Sequence, residues 1–148
     1  MHDGVEMTLD QYCTEGSVAG LIVLQNGTVV YERYGLGNDQ TTRWASWSVA
    51  KSITSLLVGA AVHDGYIESI DEKVTAYLPR LKDSAYEGAT IRNLLHMASG
   101  VEWNEDYVDP QSDVNSVPWG TLPLQRYLRS RCAAAEPGSV FNYNTAET

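Results

Sequence analysis

Phenylalanine occurs once and cysteine twice in these 148 residues, and basic side chains number 10 against 19 acidic ones. Each shortage excludes something. A net charge of −9 would repel a phosphate backbone, so nucleic acid is no expected partner. No unbroken run of apolar residues and glycine exceeds seven positions, Leu56 to Val62 being one. A membrane helix needs ~20, so no membrane partner is expected either. The opening Met-His-Asp-Gly-Val-Glu has neither the basic nor the apolar region of a secretory signal, which reads as a cytoplasmic protein. Cys13 and Cys132 stand far apart with no CxxC or Cys/His cluster, and read as two free thiols. His2, His63 and His96 fall at no ligand spacing, so no metal is expected. Gly35-Leu-Gly37 lacks the third glycine of a dinucleotide loop and reads as a turn, leaving no cofactor expected.

What is present is a globular composition, 43% apolar with Trp 4 and Tyr 9, enough for one domain with a core. In residues 20–34 two β-branched runs flank Asn26-Gly27, the dipeptide best able to take φ > 0 twice, which predicts a β-hairpin. Asn26-Gly27-Thr28 is also a glycosylation sequon, read here as turn chemistry. From residue 48 to 64 the period changes. Val49, Ile53, Leu56, Leu57, Ala60 and Ala61 predict one buried helical stripe, stopped by Gly65. Ser69-Ile-Asp-Glu72 has capping-box spacing for a short helix ended by Pro79. Thr90 is placed to cap a helix over residues 91–97, closed by Gly100. A loop rich in Asp, Asn, Pro and Trp fills 102–121, its acids keeping it solvated, and 122–131 reads as helix. Tyr66 and Tyr77 are expected to pack against helices. The order is hairpin, then helices, which suggests an α+β arrangement, a sheet with helices packed on it, without an internal domain boundary. A lone hairpin is marginal in water and no strong later strand follows, so these residues are expected to be part of a larger domain and to fold poorly by themselves.

The chemistry centres on Ser48-Val49-Ala50-Lys51. A serine at a helix start is a weak nucleophile that needs a neighbouring base. A lysine three residues on shares its face, and a lysine amine can serve where burial and positive neighbours favour its neutral form. Helix-start N–H groups can hold the oxyanion of an acyl intermediate. The ordinary alternative for Ser-x-x-Lys is a helix cap followed by a solvated lysine. Pro137-Gly-Ser-Val-Phe-Asn-Tyr143-Asn-Thr145 lies 95 residues beyond Ser48. It is expected to turn into a strand-like segment that delivers Tyr143, a general base or acid when beside a lysine.

Ser48-Val-Ala-Lys-Ser, Leu94-Leu-His-Met-Ala-Ser-Gly100 and Pro137-Gly-x-x-Phe-x-Tyr143 together resemble the serine β-lactamase-like hydrolases, which include class C β-lactamases, DD-peptidases and related esterases. The segment from Val101 to Val114 is similar to a loop of the 6-aminohexanoate-dimer hydrolases. The resemblance covers roughly residues 21–148. It implies a β-lactamase/DD-peptidase-like fold, an antiparallel sheet flanked by helices with a helical region, of which this chain is the N-terminal portion. It further implies Ser48 as acylated nucleophile, Lys51 as its base partner, Tyr143 as proton carrier to the leaving group, and Tyr107 as a loop tyrosine over the substrate, a small-molecule amide or ester. A β-lactamase or DD-peptidase, or a non-catalytic acyl-ligand binder, are the alternatives. Two departures stand out: Thr145 occupies a place where many relatives have Asn or Ser, and no late Lys-Thr-Gly-like strand is present. Losing one oxyanion donor costs about 10²–10³ in rate, so full activity is not expected of these 148 residues alone. The sequence carries no signal for oligomeric state.

Overall fold

The computed structural model describes Gly4 and residues 6–148, so His2 lies outside the described residues. The chain forms two compact units, one up to Ala45 and one from Ser46 onward.

In the first unit, helix α1 (Leu9–Glu15) precedes strands β1 (Gly20–Gln25) and β2 (Thr28–Tyr34). Thr8 and Gln11 form the reciprocal capping box that starts α1, a Thr-x-x-Gln signal the sequence reading passed over. The hairpin is antiparallel, with Leu21 opposite Arg33 and Val23 opposite Tyr31, then a bulge before Leu24 pairs with Val29. Asn26 and Gly27 take φ of 51° and 77°, the left-handed pair that a two-residue turn requires. Tyr31 and Arg33 both reach Asp10 of α1, at 2.9 and 2.8 Å, which ties helix to sheet. Cys13 is buried, Cys132 exposed, and both are free thiols.

The second unit is helical: α2 (Val49–His63), α3 (Val74–Tyr77), a 3₁₀ turn (Pro79–Leu81), α4 (Ile91–Leu95), α5 (Asp113–Ser116) and α6 (Thr121–Arg129). Its core is Val74, Leu81, Tyr86, Ala89, Val101, Trp103 and Leu128. Trp103 meets Tyr127 of α6 edge to face, ring centroids 6.4 Å apart. Asp113 pins the long loop to this core. Its carboxylate accepts from the Asn104 N–H at 2.8 Å, the Tyr127 hydroxyl at 2.6 Å and Arg131 at 2.9 Å. Burial would raise its pKa, but these three donors together hold it below the usual carboxylate range.

Several expectations need correction. Val49, Ile53, Leu56 and Leu57 are all more than half exposed. The face of α2 that is half-covered is instead the one carrying Lys51, Thr54, Val58 and Val62. The helix is apolar nearly all round, so spacing alone does not select the covered side. Ser69 and Glu72 do not cap α3; Ser69 accepts from the Asp71 N–H and Glu72 from that of Glu68, shaping a turn, and the helix starts at Val74. Thr90 does cap α4, with Asn93 completing a capping box, but that helix ends at Leu95 because Met97 turns left-handed at φ 53°. Ala98 and Met97 then donate to the Asn93 and Leu94 carbonyls, closing a Schellman motif. No strand forms after Pro137, and the Tyr143 segment pairs in no sheet. Tyr66 is 79% exposed rather than packed, whereas Tyr77 lines an apolar cavity with Val58 of α2 and Leu94 of α4 while its hydroxyl reaches Glu72. The acids of the loop are not all solvated, as Asp113 shows. Among the described residues no helix is long and apolar enough to cross a membrane.

Candidate active site

Ser48 is the residue before α2, in helical conformation at φ −71° and ψ −4°. Trp47 before it takes φ 41°, a left-handed conformation uncommon for a bulky residue, with its side chain 84% exposed. The Val49, Ala50 and Lys51 N–H groups close on the Ser46, Trp47 and Ser48 carbonyls, so the first turn is satisfied by backbone. The Ser48 hydroxyl makes no capping bond. Instead its Oγ accepts a hydrogen bond from the Tyr143 hydroxyl at 2.8 Å. Lys51, one turn on and half-buried, places Nζ 5.4 Å from the centroid of the same tyrosine ring, within cation–π reach.

The strap that carries Tyr143 hangs on the segment after α4. The Gly100 carbonyl accepts from the Ala134 and Ala135 N–H groups at 2.8 and 3.0 Å, that of Ala98 from Gly138 at 2.7 Å, and that of Met97 from Asn142 at 2.8 Å. Gly100 has φ 79°, and a Cβ there would stand 2.2 Å from the Ala135 carbonyl oxygen. Only glycine permits that approach, so Gly100 lets the chain at Ala135 and Glu136, which leads into the Tyr143 strap, lie directly against it. Beyond Tyr143, the buried Asn144 turns inward and accepts from the Ala146 N–H at 2.9 Å.

Tyr107 stands on the long loop, 64% exposed, its hydroxyl donating to Glu105 at 2.5 Å. That bond holds the Tyr107 phenol above its ordinary pKa, because ionisation would put two negative charges together. Ser48, Lys51, Tyr107 and Thr145 line one cleft of about 580 Å³, walled by Trp47 and Trp119. Of the four residues singled out in the sequence, Ser48, Lys51 and Tyr107 line this cleft, and Tyr143 joins them through its hydrogen bond to Ser48 and its ring beneath Lys51. The sequence reading missed Glu105, whose carboxylate accepts from Trp103, Tyr107 and Thr145. Nothing in the pattern of acids along the loop distinguishes it from Glu102 or Asp106. Among the described residues, no group of three or more His, Cys, Asp or Glu is gathered as a metal site.

The arrangement can do covalent chemistry: an accessible hydroxyl, a phenol able to take or return its proton, and an ammonium or amine beside that phenol. Residues 8–147 match the family model described as Beta-lactamase. A curated relative, the 6-aminohexanoate-dimer hydrolase of Paenarthrobacter ureafaciens, is 35% identical over 112 residues, which are 76% of this chain and 27% of that protein. Among solved structures, a provisionally named 6-aminohexanoate-dimer hydrolase from Bacillus anthracis superposes with TM-score 0.74 at 24% identity, over 98% of this chain and 41% of the other. A class C beta lactamase superposes with TM-score 0.67 at 21% identity, over 94% and 39%. These structures share the fold of this chain, which is β-lactamase-like and α+β. The chain spans well under half the length of each of these proteins.

Proposed function

The chain belongs to the beta-lactamase family, and from that membership we propose that it is the N-terminal portion of a single serine-hydrolase domain cleaving an amide or ester through an acyl-Ser48 intermediate. The observation that carries the reading is the 2.8 Å bond between Tyr143 and Ser48, residues 95 positions apart, with Lys51 over the tyrosine ring. Two such side chains brought together from distant sequence, with Ser48 lining an open cleft, are hard to account for by packing alone.

In this mechanism Tyr143 first gives its own proton to the Lys51 amine, which reverses the hydrogen bond to Ser48, and Ser48 Oγ then attacks the substrate carbonyl carbon as its proton passes to the Tyr143 oxygen. The bond from Oγ to carbon forms, and the carbonyl oxygen takes the displaced electron pair. The Val49, Ala50 and Lys51 N–H groups are engaged by backbone carbonyls, so the oxyanion donor this mechanism calls on is the N–H of Ser48 itself. On collapse the C–N or C–O bond breaks, and the pair returns the proton to the departing nitrogen or oxygen. Water then attacks the acyl-serine by the same path in reverse. Tyr107, on the rim, is positioned to orient the leaving group. An amide needs that help more than an ester, because an amine departs only once protonated.

The substrate we propose is a small linear amide or a related ester. A relative named for hydrolysing 6-aminohexanoate dimers, 35% identical over most of this chain, supports the linear amide over a β-lactam. The test is covalent labelling of the intact protein with a fluorophosphonate, read by mass spectrometry. One label should appear on Ser48, and Ser48→Ala should abolish it with an unchanged circular-dichroism spectrum. Stoichiometric labelling of the Ser48→Ala variant on another serine would falsify the assignment.

A further inference from the structure

We propose that Glu105 is a positioning residue that sets Tyr107 on the rim of the cleft and ties it to the Tyr143 strap, and so governs the preference for amide over ester; the catalytic part of this rests on the serine-hydrolase reading above. Each oxygen of the Glu105 carboxylate receives two donors. Oε1 accepts from the Tyr107 hydroxyl at 2.5 Å and from the Thr145 hydroxyl. Oε2 accepts from the Thr145 backbone N–H at 3.0 Å and from the Trp103 indole N–H. A carboxylate has about four acceptor sites, and here all are filled.

The four donors come from three places. Trp103 is 6% exposed and belongs to the core. Thr145 is two residues past Tyr143 on the strap, and Tyr107 is on the loop. Glu105 is therefore a junction between core, strap and rim. Tyr107 and its neighbour Val108 are 64% and 89% exposed, so little packing fixes this part of the loop, and the bond to Glu105 is the main tether of the Tyr107 hydroxyl, with Thr145 beside it. No cation pairs with Glu105 among the described residues; neutral donors hold it. Burial acts to raise its pKa, but the bonds from Thr145, Tyr107 and Trp103 outweigh it and hold the carboxyl below its ordinary value. The group therefore stays an acceptor at neutral pH, as four donors require. Thr145 supplies both its hydroxyl and its backbone N–H to this junction.

Glu105→Gln separates positioning from folding. The amide oxygen can still satisfy the rigid Trp103 and Thr145 N–H groups, while the amide nitrogen faces two hydroxyls that can rotate to accept from it. The fold survives, but Tyr107 loses its anionic acceptor. Two measurements on the intact protein test this. In NMR of ¹³Cζ-labelled tyrosine, with the Tyr107 signal identified through Tyr107→Phe, the phenol should titrate at lower pH in Glu105→Gln than in the wild type. In kinetics, Glu105→Gln should lower kcat/KM for a short linear amide by about 10- to 100-fold, the range for a lost charged hydrogen bond, with the matched ester falling much less. In a Tyr107→Phe background the same substitution should add less than about 2-fold. Equal losses on amide and ester, or full additivity with Tyr107→Phe, would overturn the proposal. So would an unmoved Tyr107 titration. A wild-type protein that no fluorophosphonate labels would sink the serine-hydrolase reading instead, and the titration would still decide whether Glu105 sets Tyr107.

Discussion

Glu147 is a carboxylic acid placed where a carboxylate is poorly served. Tyr86 and Asn144, each 1% exposed, surround it. Its Oε1 accepts from the Tyr86 hydroxyl at 3.2 Å and from Asn144 Nδ2 at 3.1 Å, while its Oε2 is buried with no hydrogen-bond partner. Burial pushes its pKa up from 4.5 to about 7, against the smaller opposing effect of Ser99, Tyr86 and Asn144. Because the folded value is raised, folding favours the protonated acid. Any stability this confers is complete below the unfolded value of 4.5 and is lost as pH rises through about 7. A gap of about 2.5 pH units, at 1.36 kcal/mol each, makes the ionised residue a burden of about 3 kcal/mol above neutrality. Glu147→Gln keeps the acceptor for Tyr86 and Asn144 and supplies a neutral group at the orphaned position. In urea denaturation of the intact protein, the variant should match the wild type near pH 4 and exceed it by about 2–3 kcal/mol at pH 8. The difference should open between these limits. A stability difference that does not change across that range would refute the reasoning, because it would mean Glu147 does not titrate on folding.

Gly100→Ala must place a methyl 2.2 Å from the Ala135 carbonyl oxygen in a left-handed backbone, so it should cost about 2–4 kcal/mol in thermal unfolding. It should also slow fluorophosphonate labelling of Ser48, since the Tyr143 strap hangs on the same carbonyls; normal labelling in a destabilised protein would separate the strap from the site. Lys51→Arg keeps the charge over the Tyr143 ring but cannot give up a proton, so acylation should fall about 10²–10⁴-fold. A near-normal rate in that variant would make Lys51 a structural cation only.

Local chemistry was legible in the sequence wherever neighbours in the chain decide it. The Asn26-Gly27 turn, the start of α2 at Ser48 with Lys51 one turn on, and the Thr90 cap are all choices made within four residues, by φ preference, helical period and side-chain reach. Ser48, Lys51 and Tyr143 could be picked out because their motifs are short and ordered. Tertiary structure decided the rest. Which side of α2 is covered depends on what lies against it, and an almost wholly apolar helix gives no internal answer. Ser69 and Glu72 have the spacing of a cap but spend their side chains on a turn, since the backbone donors nearest to them are not those of a helix. Glu105, Asp113 and Glu147 are three carboxyls that composition cannot tell apart. One gathers four neutral donors, one an arginine and a phenol, and one a buried place with an unpartnered oxygen, and these surroundings drive the first two pKa values down and the third up. Residue type sets what a carboxyl can do; what distant chain brings within 3 Å sets which of those things it does.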